Sequence, residues 1–310
     1  MRRILVPLLL LVALVGAGCG RSSPERDTTT QAGQAGFPVT LDGPGGKVEI
    51  SQRPGRIVSL SPTATEMLFA IKADAQVVAA DSFSNYPKDA PKTDLSGHEP
   101  NVEAVAGYNP DLVVYSNDPG DLGPALRKLG VPALLLPAGK RLDDTYTQLQ
   151  QLGQATGHTT EAQALVASMR ADIQQIVAAS KLERPLTYYH ELDKNLFTAT
   201  SQTFIGQLYA QLGLQNIADK ADKDGSGYPQ LSAEYVVKAD PDLVFLADTK
   251  CCAQSATTVA ARPGWRQVRA VRDGAVVELD DDVASRWGPR VVDFLRTVAA
   301  RLDALVAVRS

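Results

Sequence analysis

The sequence predicts an α/β protein: two Rossmann-like lobes with mainly parallel sheets, joined by one long backbone helix. Three observations carry that expectation. Short apolar runs alternate with helical stretches in two separate series along the 310 residues, the pattern of βαβ units. A phrase, Glu-x6-Pro-Asp-Leu-Val, occurs at 103 and again at 234, with both Glu103 and Glu234 and both Pro110 and Pro241 set 131 positions apart. Between the two series lies one long amphipathic segment, in which Ala162, Leu165, Val166, Met169, Ile173 and Ile176 recur at helical spacing.

In chain order, Met1-Arg2-Arg3 followed by ILVPLLLLVALVGAG and Cys19 has the basic start, short apolar stretch and small residues of a secretory signal. The apolar run is short for a membrane span. Residues 20–36, GRSSPERDTTTQAGQAG, hold no sizeable apolar side chain and are expected to be a flexible tether. A lobe is expected over 37–157. It opens with a hairpin from Phe37 to Ile50 and continues with the strand RIVSL and a helix over 63–73. The strand QVVAAD, a long loop, a helix over 102–106, DLVVYS, a helix near 121–129 and PALLLP follow. The connecting helix is placed at 158–182. The second lobe, 183–310, repeats the alternation with PLTYYHEL, TFIGQLYAQLG, EYVVKA, DLVFLAD, a helix near 257–267, GAVVELD and a closing helix over 289–308.

In both copies of the repeated phrase, proline ends the helix and the apolar run begins the strand. That explains Pro-Asp-Leu-Val. A carboxylate in the first turn of a helix is also favourable by itself, so helix stability alone could place both acids. A net charge of −4 gives no basic surface, and nucleic acid is not expected as a partner. No nucleophile elbow, phosphate loop, dinucleotide fingerprint or zinc signature occurs, so no enzyme is expected. Bare-metal capture is disfavoured because the three histidines, at 98, 158 and 190, are too few for a ligand set once His158 is assigned to the connecting helix. Cys251-Cys252 in an oxidising compartment can form a vicinal disulfide; the alternative, two thiols binding a metal, is disfavoured because no CxxC or HxxxH partner set is present.

The chain resembles the class III substrate-binding proteins of ABC importers, the group that includes vitamin B12-binding and ferric-siderophore-binding proteins. The landmarks are SLSPTATE, SNYPKD, the two Glu-x6-PDLV units and SRWGPR, in that order, and the resemblance covers about residues 50–310. Gly16-Ala17-Gly18-Cys19 resembles a lipobox, although Gly16 stands where a Leu-like residue is preferred. The resemblance implies an extracytoplasmic monomer, lipid-anchored to the cell membrane through Cys19. It implies a cleft between the lobes and one docking glutamate per lobe, Glu103 and Glu234, for an ABC permease dimer. No resident cofactor is implied; the captured ligand is expected to be a metal chelate, namely a ferric siderophore, haem or a corrinoid.

The cleft loops implied by the resemblance carry Phe83, Tyr86, His98 and Tyr115 from the first lobe. The second lobe contributes Tyr189, His190, Tyr228, Cys251, Cys252, Asp282, Arg286 and Trp287. Several of these have a plainer alternative. Of Tyr189 and His190, adjacent in a strand, one is expected to face the cleft; Arg286 and Trp287 could serve the SRWGPR turn, and Asp280-Asp281-Asp282 could be a solvated turn. Gly97 and Ser116 stand where the vitamin B12-binding proteins carry bulky aromatics, which leaves siderophore, haem and cobalamin undivided. A surface lipoprotein with an adhesive or sensing role and no transporter is the alternative from another class.

Overall fold

The computed structural model describes residues 36–180 and 182–309, with side chains described up to residue 305. The signal segment, the tether and Cys19 lie outside the described residues. The chain begins with an antiparallel hairpin, β1 (Val39–Gly43) and β2 (Gly46–Ile50). Leu41, Val48 and Ile50 point inward from it and join the main core.

Two parallel sheets follow. The first contains β3 (Ile57–Leu60), β4 (Val77–Ala80), β5 (Leu112–Tyr115) and β6 (Ala133–Leu135), in the order β4-β3-β5-β6. The second contains β7 (Leu186–Glu191), β8 (Leu214–Asn216), β9 (Leu243–Leu246) and β10 (Val276–Glu278), ordered β8-β7-β9-β10. In each lobe the first strand therefore sits between the second and the third, with the fourth outermost. Both lobes have the same winding.

Helices cover both faces of each sheet. The first lobe has α1 (Pro62–Ala70), α2 (Val102–Ala106) and α3 (Leu122–Lys128). Next come α4 (Leu142–Thr156) and α5 (Thr159–Ala179), separated by Gly157 in the left-handed region at φ 76°. The second lobe has α6 (Phe204–Gln211), α7 (Ala233–Ala239), α8 (Thr249–Cys252), α9 (Ala256–Ala260) and α10 (Arg269–Arg272). It closes with α11 (Asp281–Ser285) and α12 (Val291–Arg309). The long helix expected from periodicity is α5, whose buried residues Ala162, Val166, Met169 and Ile173 keep the i, i+3/i+4 spacing. It packs on α4 from the first lobe and on α12 from the second, with Arg170–Asp143 and Arg296–Asp172 ion pairs along its flanks. One continuous core runs through both sheets and these helices. A smaller core lies on the other face of the first sheet, where Val58, Leu60, Val113 and Tyr115 alternate with residues of the main core.

The repeated phrase has a common local geometry. Asn101 and Ser232 cap α2 and α7 by accepting from Ala104 N and Tyr235 N at the third helical position, and Glu103 and Glu234 fall at the second. Val105 and Val236 are the buried residues of the two helices. Asn109 (φ 48°) and Asp240 (φ 45°) turn the chain through the left-handed region just before each proline, a conformation that Asn and Asp tolerate. The aspartates of the two Pro-Asp pairs fix the neighbouring strand: Asp111 accepts from Gly55 N and Arg56 N just before β3, and Asp242 from Thr187 N in β7.

Three elements differ from expectation. The short strand β8 lies in a polar-looking QNI context that supplies too few apolar positions for a period-2 signal. The helix expected near 257–267 is α9, a turn at Pro263-Gly264 and a single 3-10 turn over Trp265–Gln267. Asp281 and Asp282 form the first turn of α11, with Asp280 as its cap, instead of a solvated turn.

Asp242 is buried and accepts from Arg184, Arg269 and Thr187. Burial alone would raise its carboxyl, but these donors hold it far below the usual carboxylate range. The sign follows: its stabilisation is present above about pH 4 and is lost as acid titrates the native carboxylate. Asp242→Ala is expected to cost about 1–3 kcal/mol near neutrality, because Thr187 and two part-exposed arginines lose a charged acceptor. It should also flatten the acid limb of a urea-denaturation pH series.

Candidate functional site: an inter-lobe slot

The exit loops of one sheet face those of the other. On one side, the segment after β4 meets the segment after β10: Asn85 Nδ2 donates to Asp282 Oδ2 at 3.0 Å, and Arg286 Nη2 donates to Asn85 Oδ1 at 2.9 Å and to Phe83 O at 3.2 Å. On the other side, Gln207 Nε2 of α6 donates to Lys140 O after β6 at 2.8 Å. The carboxyl ends of the two sets of parallel strands thus meet, and the region between them, where open α/β sheets take ligands, is the candidate slot.

The lobes are fastened by a buried charge cluster. Glu66 of α1 is 3% exposed and accepts from Arg286 Nη1 at 2.7 Å and from Arg290 Nε and Nη2 at 2.9 and 2.5 Å. Both arginines lie between α11 and α12 of the other lobe. Trp287, between them, donates from Nε1 to Gln148 Oε1 at 2.9 Å and packs on Gly139. Its backbone carbonyl accepts from Thr145 Oγ1 at 2.7 Å. SRWGPR is therefore the stitch between the lobes. Arg286 and Trp287 bond neither within their own turn alone nor outward into open space.

Several residues expected at the cleft lie in the cores instead. Tyr189 and His190 are both 0% exposed. The reason is topological: β7 is an inner strand with helices over both faces, so alternation sends neither side chain to the slot. His190 Nδ1 meets Tyr209 Oη at 2.9 Å, and burial pulls the imidazole down to about 4, so it is neutral. Tyr115 ends β5 with its hydroxyl lodged against Gly123 in the smaller core, where even a Cβ would not fit. Tyr86 lies beneath the Arg290 guanidinium, 4.2 Å from the ring centroid. It lines a cavity of about 520 Å³ with Phe69, Ala70 and Asp74, toward the far end of α1.

Exposed aromatics do occur on the exit loops of both lobes. Phe83 is 57% exposed and meets His98 edge-on, with ring centroids 5.8 Å apart. Tyr228 is 53% exposed, and Phe197 is a further exposed aromatic. Residues 196–200 and 227–231 run antiparallel, with Phe197 opposite Gln230, so Phe197 and Tyr228 are diagonal neighbours on one face of this ribbon. Gly97 lies where the backbone passes the end of β3: a Cβ there would stand 2.4 Å from Leu60 O. That explains why no aromatic occupies it.

Cys251 and Cys252 form a disulfide in α8. Asp281 accepts from Thr249 N, Lys250 N and Cys251 N at 2.9–3.0 Å, while Lys250 Nζ bridges Asp280 and Asp282 at 2.8 Å each. Burial would raise the Asp282 carboxyl, but Lys250, Arg286 and Asn85 hold it below its ordinary value. Glu103 and Glu234 are exposed. Each stands at the start of a helix that runs down to the third strand of its sheet, so both lie on the strand-exit side.

Residues 57–283 match the family described as periplasmic binding protein. The chain belongs to that family. Its members are substrate-binding proteins that work with ABC permeases outside the cytoplasm, and they are not enzymes. An uncharacterized ABC transporter substrate-binding lipoprotein of Bacillus subtilis is 29% identical over 94% of both chains. A cobalamin-binding protein of Halobacterium salinarum is 30% identical, covering 96% of this chain and 82% of its own. Among solved structures, a periplasmic heme-binding protein from Roseiflexus sp. RS-1 superposes with a TM-score of 0.71 at 24% identity, over 81% of this chain and 99% of the other. No helix among the described residues is long and apolar enough to cross a membrane.

Glu66 and Phe197 are functional candidates that the sequence alone did not single out. An acid inside the apolar helix phrase TATEMLFAI, with two arginines in SRWGPR, was the available signal for Glu66. Glu66→Ala leaves Arg286 and Arg290 without their buried partner and is expected to destabilise the fold by about 3–5 kcal/mol in chemical denaturation. Small-angle scattering should then report a wider separation of the lobes.

Proposed function

We propose that the protein captures a cobalamin-type corrinoid in the inter-lobe slot and delivers it to an ABC importer, with Glu103 and Glu234 as the docking groups. The observation that carries the ligand class is the charge balance of the slot. Arg286, Arg290 and Lys250 are each committed to Glu66, Asp280 or Asp282, so these cations are not open to the carboxylates of haem or of an acidic siderophore. What the exit loops offer is aromatic surface: Phe83, Phe197 and Tyr228. That suits a broad macrocycle fringed with neutral amides. The Cys251–Cys252 disulfide adds a polarizable rim, and a relative named for cobalamin binding supports the same reading. A second reading, a haem or ferric chelate, is favoured by His98, an exposed imidazole beside Phe83 that could offer a nitrogen to iron.

Docking rests on the equivalence of Glu103 and Glu234. Two exposed carboxylates at the same position of equivalent helices suit bidentate pairing with arginines on two copies of one permease subunit, and such charge pairs fix orientation. Acylation of Cys19 would keep a monomeric receptor at the membrane surface.

Titration of the purified protein with cyanocobalamin, haemin and a ferric hydroxamate, followed by quenching of intrinsic fluorescence, separates these ligands. Cyanocobalamin is expected to bind tightest, and a preference for haemin would move the assignment to iron chelates. Tyr228→Ala is expected to weaken binding about tenfold through loss of an aromatic contact; unchanged quenching would remove Tyr228 from the site. Glu103→Arg combined with Glu234→Arg should abolish uptake while leaving ligand affinity intact. Lost affinity with normal uptake would contradict the docking role.

A further inference from the structure

At the foot of the disulfide turn, the second lobe holds an acid pair that ligand binding does not account for. Asp248 lies two residues past β9, at the N-cap of α8, and opens the strap 248–262, which carries α8, the disulfide and α9. It is 0% exposed, neither carboxyl oxygen has a donor among the described residues, and the group its side chain meets is the Glu191 carboxyl. Its backbone carbonyl accepts from Cys252 N and Gln254 N, so the main chain at Asp248 anchors the disulfide turn. A lone ionised carboxylate in such a place would be very costly.

The groups that face Asp248 come from each element packed on it. From β7 come Glu191, fully buried, and Tyr189, whose hydroxyl also has no partner. From beyond α9 comes Arg262, both of whose terminal nitrogens donate to Glu191 at 2.6 and 2.5 Å, one of them also to Gln254 Oε1 at 2.7 Å. From α11 comes Asp281, an acid already bonded to the α8 amides. One guanidinium thus serves a site containing two buried carboxyls, with a third acid beside it. Arg262 directs both terminal nitrogens to Glu191 and acts on Asp248 only at a distance, where burial and the Glu191 charge outweigh it.

We propose that Asp248 is a positioning residue that stays a neutral carboxylic acid while the strap is seated, so that its ionisation loosens the disulfide-bearing rim of the slot. Burial, and then the Glu191 charge, push the carboxyl up to about 7, in agreement with the geometry. The strap matters beyond its own lobe. Its Lys250 holds Asp282, and Asp282 holds Asn85 of the opposite lobe, so the proton on Asp248 acts on an inter-lobe contact at the slot. The rim is firm in acidic surroundings and loosens toward neutrality.

The direction follows from linkage. In an open strap the Asp248 carboxyl is hydrated and titrates near its ordinary 3.8. Opening should therefore grow about tenfold per pH unit from about pH 4 to about pH 7 and level off above. The experiment measures hydrogen exchange of amides 249–255 in the full protein with the disulfide oxidised, corrected for the intrinsic chemical rate, across pH 4–8. Wild type is expected to show that rise and plateau, and Asp248→Asn a flat profile. A profile shared by both proteins would overturn the proposal. Infrared spectra of the wild type decide the matter even if the variant does not fold. A protonated carboxyl band that disappears near pH 7 supports the proposal, and its absence above pH 5 overturns it. Neither readout involves a solute or a transporter, so the outcome is independent of the corrinoid assignment.

Discussion

The arrangement of the slot depends on one interaction, the buried carboxylate of Glu66 held by two arginines from the opposite lobe. A pair of α/β lobes linked only by α5 would share a modest interface and move freely, as loosely packed domains do. Glu66 removes that freedom at the mouth of the slot, because separating the lobes exposes one carboxylate from a nearly dry site and strands Arg286 and Arg290. Trp287 and Asn85 extend the same fastening to either side. The slot walls therefore hold a set spacing, and aromatic side chains on both walls can face a ligand without first having to be brought together.

The second consequence of this fastening is electrostatic. Charges that might have served a ligand are consumed by structure. Arg286 looks like a carboxylate receptor in the sequence, yet its donors are divided among Glu66, Asp282, Asn85 and Phe83 O. Lys250 is divided between two aspartates. The large exposed side chains on these exit loops are aromatic, namely Phe83, Phe197 and Tyr228.

Much of the architecture was legible in the sequence because it depends on periodicity and on local capping. Both sheets, the α5 strut and the matched positions of Glu103 and Glu234 follow from apolar spacing, from helix caps and from Pro-Asp. The walls of the slot were less legible. Tyr115, Tyr189 and His190 are strand residues, and whether a strand is inner or outer is decided by pairing partners far away in the chain. Glu66 illustrates the same difficulty from the other side: within its own helix it breaks an apolar face, and only residues 220 or more positions later explain why. Phe197 escaped notice because its exposure depends on a ribbon formed with residues 227–231.

The twin winding of the lobes bears on the proposed docking through Glu103 and Glu234. Since α2 and α7 both begin on the rim from which the strands emerge, the two acids flank the mouth of the slot instead of its floor. A membrane complex that grasps both of them must straddle that mouth.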